Sequence, residues 1–117
     1  MAESLRADML DPEIRPSTWN FAHQAHRFNQ HYSGGNGTRM GLFSAFYGIY
    51  GPYWFPFLEA RRSPVIMDVL QQQGYQLDLH TSAKFSYPEF DKTIFAGVPD
   101  RFMHEVGYKT GWHGAQV

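Results

Sequence analysis

Residues 33–48 read SGGNGTRMGLFSAFYG, a glycine-rich loop that runs directly into an apolar segment. Leu42, Phe43, Phe46 and Tyr47 recur at helical spacing, which predicts a helix from Thr38 to Tyr47 that ends at Gly48. The N-terminus of a helix carries unpaired N–H groups and a partial positive charge, so it suits an anion. A hydroxyl at this position is a candidate nucleophile towards a phosphate or sulfate ester.

Thr38 and Arg39 each allow a second interpretation. A threonine after a flexible loop is also a common helix cap, and an arginine is often simply solvated. In the functional interpretation, the guanidinium of Arg39 orients an oxygen of the anion through a charge-assisted hydrogen bond. The loop is not a nucleotide-binding P-loop, because no Gly-Lys-Ser or Gly-Lys-Thr follows it.

The composition limits the class of protein. The chain has 117 residues, of which 43% are hydrophobic and 17% aromatic, enough for one small domain with a packed core. The net charge of -1 and the lack of a basic run argue against a nucleic-acid partner. The absence of cysteine excludes disulfides and thiolate metal sites. No apolar run approaches the roughly 20 residues that a membrane-spanning helix needs.

The order of the remaining elements predicts an α/β layer fold. The first predicted helix covers Thr18–His26 and is capped by Ser17, and the second is capped by Ser63, has Pro64 as its first residue and is ended by Gly74. A strand over Tyr75–Thr81 and a short helix over Pro88–Phe95 are predicted to follow. In the second of these helices, the inward positions are predicted to be Val65, Ile66, Val69 and Leu70.

Two segments have weaker patterns. Residues 49–57 are aromatic and contain Pro52 and Pro56, which disfavour a long regular helix. Their aromatic side chains are predicted mainly to pack in the core, with a lipid-facing or partner-facing surface as the alternative. Residues 96–117 show no clear pattern and are predicted to be a poorly specified tail.

Four stretches occur in the order found in one known family. Residues 3–8 (ESLRAD) resemble the acidic end of its first strand, and residues 16–32 resemble the following helix and strand. Thr38 precedes Gly48 by ten positions, as the nucleophile does in C/S-x-P-S-R-x-x-L-x-T-G. Residues 64–79 resemble its L-x-x-x-G-Y-x-T unit. Residues 3–95 thus resemble the N-terminal part of the sulfatase and alkaline phosphatase superfamily.

The resemblance is strongest to sulfatase-like domains of membrane-anchored bacterial proteins, the group near phosphoethanolamine transferases and lipoteichoic acid synthases. It implies the N-terminal portion of an alkaline-phosphatase-like three-layer α/β/α fold. It also implies a parent anchored in the inner membrane with a periplasmic or extracellular domain. Threonine cannot form the formylglycine of cysteine-type sulfatases, so the resemblance favours the branch that handles phosphoester head groups.

The resemblance implies a role for each site residue. Thr38 is the nucleophile, the backbone of Gly35, Asn36 and Gly37 steadies the anion, and Arg39 and Lys84 contact it. Glu3 is a ligand of a divalent metal, which is Mg²⁺, Mn²⁺, Ca²⁺ or Zn²⁺. The family's other metal ligands lie far downstream, so we expect no tightly bound metal in this chain.

The histidines are given no metal role at this stage. His23 and His26 lie one helical turn apart, a spacing that metal ligands use, but ordinary helix positions are the simpler interpretation. His31 is treated alike, and the family's downstream metal roles are not transferred to His104 or His113.

Three functional hypotheses follow. The first is a fragment of a metal-dependent hydrolase or transferase for phosphate or sulfate esters, inactive as an isolated chain. The second is a non-catalytic module of the same fold that binds an anion, such as a lipid head group. The third is a chain without activity that folds by self-association.

Overall fold

The computed structural model describes residues 5–106, which form two compact units divided between Ser33 and Gly34. The first unit contains a 3-10 helix at Ala7–Met9 and helix α1 at Pro16–Ala22. The predicted start at Thr18, with Ser17 as the cap, was wrong, because Arg15 occupies the cap and Pro16 is the first helical residue. The fixed φ of proline suits that position.

Helix α2, at Thr38–Tyr47, confirms the prediction from the glycine-rich stretch. It follows Gly37, which has a φ of 83°, and ends at Gly48 in the left-handed conformation with a φ of 71°. These conformations are costly for residues with a side chain, so glycine defines both ends of the helix.

The proline-containing segment after α2 forms two short elements. A 3-10 helix at Gly51–Tyr53 leads into helix α3 at Trp54–Ala60. Pro56 lies in the first turn of α3, where an N–H group has no partner within the helix, so the ring is tolerated. A short helix therefore forms although the prolines exclude a long one.

Helix α4, at Val65–Gln72, departs from the prediction in two respects. Pro64 occupies the cap, and the Ser63 hydroxyl donates to Asp68 Oδ1 at 2.6 Å instead of accepting a backbone N–H. The buried residue is Met67, with Leu70 half-buried, whereas the predicted inward residues Val65, Ile66 and Val69 are 76%, 50% and 42% exposed. Among the described helices, α2 makes the main contact with α4. The exposed apolar side chains of α4 are not covered by any other part of residues 5–106.

The sheet consists of two parallel strands within the described residues. Strand β1, at Leu79–Thr81, is shorter than predicted, and strand β2, at Met103–Glu105, was not predicted. Leu79 faces Met103, and the Val106 N–H donates to the Thr81 carbonyl at 2.8 Å. The connection contains 3-10 helices at Phe90–Lys92 and Asp100–Phe102, the first of which lies within the predicted short helix.

The core of the second unit is largely aromatic. Phe43 and Trp54 are completely buried, and their rings meet edge to face with centroids 5.8 Å apart. Trp54 also meets Phe90 at 6.0 Å, and Tyr47 stacks on Phe43 at 4.2 Å. Such pairs add about 0.5–1.5 kcal/mol beyond the burial of their area. Two of the five aromatic side chains at residues 49–57 belong to this core, Trp54 and Phe57, whereas the other three are exposed, so the prediction that they mainly pack in the core holds only in part.

The glycine-rich loop packs closely against α2 and the following 3-10 helix. The Gly51 N–H donates to the Gly34 carbonyl at 3.2 Å. A Cβ on Gly35 would lie only 2.5 Å from the Met40 carbonyl carbon and 2.7 Å from its oxygen. The first glycines of the loop therefore permit close backbone approach.

Helices together with a parallel strand pair agree with the predicted α/β class. The three-layer arrangement goes beyond what residues 5–106 contain, and it stays a prediction. No helix among these residues has both the length and the apolar character required to cross a membrane.

Replacing Gly35 with alanine tests the close packing of the loop. We expect Gly35→Ala to lower the free energy of unfolding by about 2 kcal/mol, because the new methyl group overlaps the Met40 backbone. The matched control is Gly97→Ala, whose methyl group would meet only ordinary contacts at 3.4 Å, and we expect a change of about 0.5 kcal/mol or less. Urea unfolding measures both, and equal stabilities would contradict the packing.

The raised pKa of Tyr47 predicts that the folded chain loses stability at alkaline pH. Burial, assisted by the charge of Asp68, raises the pKa of Tyr47 from 10.0 to about 12. The folded chain keeps the phenol proton where the unfolded chain loses it, so stability is complete below about pH 10 and declines towards about pH 12. The phenol is half-exposed, and we expect a loss of about 1 kcal/mol after allowing for solvent screening.

Tyr47→Phe removes this contribution and is the matched variant for that prediction. Urea unfolding at intervals between pH 9 and pH 12 should show a shallower decline in the variant than in the original chain. Parallel declines would show that the Tyr47 proton does not contribute.

Candidate functional site

Thr38 is the first residue of α2 and is half-buried. Asn36 and Gly37 precede it and are exposed, whereas Gly35 is half-buried against Met40. The part of the loop that is open to solvent is thus the part next to the helix start. This places a threonine hydroxyl at the positive end of a ten-residue helix, where an anion is favoured.

Arg39 is held by contacts within the protein. Its Nη2 donates to Glu89 Oε2 at 2.9 Å, and both side chains are about one third exposed (32% and 29%). Its guanidinium carbon lies 5.6 Å from the Trp54 ring centroid and 5.7 Å from that of Tyr87. The predicted contact between Arg39 and an anion would therefore compete with Glu89.

The backbone at Glu89 indicates that this ion pair is built into the fold. Glu89 has a φ of 30° in the left-handed region, which costs a non-glycine residue on the order of 1 kcal/mol. Its carbonyl accepts a hydrogen bond of 2.9 Å from the hydroxyl of Thr93, which is completely buried. The segment that carries Glu89 is thus anchored both to α2 and to the core.

The other two predicted site residues, Lys84 and Glu3, are distant in sequence from Thr38. Lys84 is exposed in the loop that follows β1, next to Phe85, whose N–H donates to Glu105 Oε1 at 2.8 Å. Glu3 lies outside the described residues. The structure therefore brings together Thr38, Arg39 and the loop at 35–37, and the roles of Lys84 and Glu3 stay predictions.

The resemblance implies a divalent metal beside Thr38, so the side chains near Thr38 would have to include metal ligands. Within residues 5–106, the group of three or more His, Asp and Glu side chains that could hold one ion is Asp78, His80 and His104. It does not include Thr38, and the carboxylate predicted for that role, Glu3, is outside this range. The described residues do not fit a metal at the helix start, so no reaction step is derived through one.

Asp78, His80 and His104 converge on the strand pair. The ligand atoms of the three side chains all lie within 4.8 Å of one another, and all three are exposed. His80 and His104 face each other across the register of β1 and β2, and their rings stack with centroids 4.6 Å apart. His104 Nε2 lies 2.8 Å from Asp78 Oδ1.

Sequence reasoning missed this group for an identifiable reason. Asp78 and His80 are two residues apart in the predicted strand, a spacing that places both side chains on one face. Their partner His104 lies in β2, which no local pattern indicated. The cluster therefore depends on a long-range pairing that periodicity does not reveal.

The other histidines weighed for metal binding lie in the first unit. His23 is the cap at the C-terminus of α1, its Nδ1 is 2.8 Å from the Trp19 carbonyl oxygen, and its ring meets Trp19 edge to face. His26 and His31 are exposed outside α1. The interpretation of His23 and His26 as ordinary helix positions was therefore wrong, because α1 ends at Ala22.

The chain was compared with known proteins. Two curated relatives, both described as inner membrane protein YejM, come from Salmonella typhimurium (strain LT2) and Salmonella typhi. Each is 37% identical over 81 residues, which is 69% of this chain but only 14% of the relative. No solved structure matches. The family model described as Sulfatase matches residues 1–114, and the chain therefore belongs to the sulfatase family.

Proposed function

We propose that this chain is the N-terminal part of a sulfatase-like hydrolase or transferase for phosphate or sulfate esters, with Thr38 as its nucleophile. The observation that carries the proposal is the position of Thr38 as the first residue of α2, beside exposed loop residues. Membership of the sulfatase family supports an ester of an oxyanion as the substrate. The isolated chain is proposed to be inactive.

The proposed reaction has two displacement steps. The ester anion lies at the N-terminus of α2, where the helix dipole and the backbone of residues 35–37 favour its negative charge. Thr38 Oγ forms a bond to phosphorus or sulfur as the bond to the alcohol oxygen breaks. The Thr38 proton passes to solvent, and the departing alcohol takes a proton from solvent. Water or an acceptor alcohol then displaces Thr38 and restores its hydroxyl.

Three further assignments belong to this proposal. Arg39, released from Glu89, and Lys84 contact the anion. Glu3 is one ligand of a divalent metal, Mg²⁺, Mn²⁺, Ca²⁺ or Zn²⁺, whose other ligands belong to the complete protein. The relatives are named as inner membrane proteins, and we propose that the complete protein is anchored in that membrane with this domain on its outer side.

A second candidate, a non-catalytic module that binds a lipid head group, is favoured by the exposed aromatic side chains near the start of α3. Tyr50, Tyr53 and Phe55 are 73%, 58% and 59% exposed, near the start of α3. Aromatic side chains with this exposure suit the boundary between lipid and water.

Variants of Thr38 in the complete protein test the catalytic proposal. Thr38→Val keeps the shape of the side chain but removes the hydroxyl, and we expect kcat/KM to fall by about 10³ or more. Thr38→Ser keeps a hydroxyl and should retain measurable turnover. Hydrolysis of p-nitrophenyl phosphate and p-nitrophenyl sulfate measures both variants.

The control for these variants is Thr18→Val, since Thr18 is an exposed threonine in α1. We expect it to leave turnover unchanged. Mass spectrometry of acid-quenched protein should find a phosphoryl or sulfuryl group on the peptide that contains Thr38. Full turnover in Thr38→Val would remove this residue from the mechanism.

Vesicle binding tests the second candidate. We expect the double variant Tyr50→Ser, Phe55→Ser to weaken binding to vesicles of anionic phospholipid by about tenfold, because two interfacial aromatic side chains are lost. Tyr32→Ser is the matched control, since Tyr32 is 82% exposed but belongs to the first unit. Flotation of the protein with vesicles gives the bound fraction, and equal flotation of all three proteins would reject an aromatic membrane contact.

A further inference from the structure

We propose that Asp78, His80 and His104 form a Zn²⁺ site that joins β1 to β2. This site does not include Thr38, so it is independent of the proposed ester chemistry. The argument uses the register of the strands, the distances between the donor atoms and the chemistry of the donor set.

The parallel register fixes where the three side chains project. His80 is paired directly with His104, so both imidazoles stand on the same face of the strand pair. Asp78 precedes His80 by two residues, the repeat that returns a strand to the same face. Backbone pairing of β1 with β2 therefore holds the two histidines together, and Asp78 is the residue immediately before β1.

The distances leave room for one ion among the donor atoms. Asp78 Oδ1 is 2.8 Å from His104 Nε2, and Asp78 Oδ2 is 3.7 Å from His80 Nε2. Metal–ligand bonds of about 2.0–2.1 Å place the ligands of tetrahedral zinc roughly 3.3 Å apart. These two separations lie on either side of that value, and all three donors lie within 4.8 Å of one another, so side-chain rotations that break the Asp78–His104 hydrogen bond would bring them into position.

A hydrogen bond alone explains only part of this cluster. It accounts for Asp78 and His104, but His80 Nε2 is beyond hydrogen-bonding distance of the same carboxylate. His80 nonetheless presents its Nε2 towards that carboxylate while stacking on the His104 ring. An ion held between the carboxylate and the two imidazoles accounts for all three orientations.

The donor set selects the metal. Two imidazole nitrogens and one carboxylate oxygen suit Zn²⁺, whereas Mg²⁺ and Ca²⁺ prefer oxygen ligands. All three residues are exposed, so a water molecule can complete four-coordination. Since the ligands come from both strands, the ion would stabilise the pair and raise the unfolding temperature, by an amount that grows with the logarithm of its affinity.

Titration of the purified chain with zinc chloride tests the site. We expect one Zn²⁺ per chain by isothermal calorimetry and a higher unfolding temperature in its presence. His80→Ala and His104→Ala should each weaken binding at least about 100-fold, since loss of an outer-shell partner alone costs 10–100-fold. Asp78→Asn should weaken it by about tenfold or more.

The matched controls are His26→Ala and His31→Ala, which remove exposed histidines of the first unit and should bind Zn²⁺ like the original chain. Absence of saturable binding by the original chain would overturn the site. Equal affinity in His80→Ala and the two controls would overturn it as well. If one variant fails to fold by circular dichroism, the other histidine variant and the visible absorption of Co²⁺ added to the original chain decide the question.

Discussion

The edge-to-face contact between Phe43 and Trp54 is the interaction on which the second unit depends. It joins α2 to α3, and Trp54 extends the cluster to Phe90 in the long connection between the strands. Complete burial of side chains of this size contributes on the order of 2–3 kcal/mol each. Aromatic packing therefore positions the helix that begins at Thr38, and the start of this helix depends on the aromatic core against which α2 packs.

Arg39 connects this core to the candidate site. The Arg39 guanidinium lies over the ring of Trp54, and Glu89 neutralises its charge. A cation in this position contributes to folding without any ligand, so its presence beside Thr38 is not by itself a sign of anion binding. Thr38, half-buried as the first residue of α2, and the exposed loop residues that precede it are the stronger support for ester chemistry.

Local sequence patterns predicted correctly the features that depend only on neighbouring residues, above all the bounds of helix α2. Both ends of α2 followed from glycines at 37 and 48 and from the spacing of Phe43 and Tyr47. The caps differ from the predicted serines, because Pro16 is the first residue of α1 after Arg15, whereas Pro64 itself is the cap of α4.

Patterns failed where the outcome depends on distant segments. Periodicity identified an apolar face on α4 but not whether a neighbour covers it, so Val65 and Ile66 were placed inward although they are exposed. Strand β2 has only three residues and pairs with a strand more than twenty positions earlier, which leaves no periodic signal. The same long-range pairing brings His104 to Asp78. For that reason the sequence did not indicate the cluster of Asp78, His80 and His104, whereas it did indicate Thr38.

The close approach of Gly35 to Met40 links two positions that would otherwise vary independently. A side chain at 35 requires the backbone at 40 to withdraw, and that displacement would carry the first turn of α2 with it. A side chain at residue 35 is therefore compatible only with a shift of Thr38, which lies three residues after it at the start of α2. Among homologues, a non-glycine residue at this position would mark chains in which the start of this helix has been repositioned.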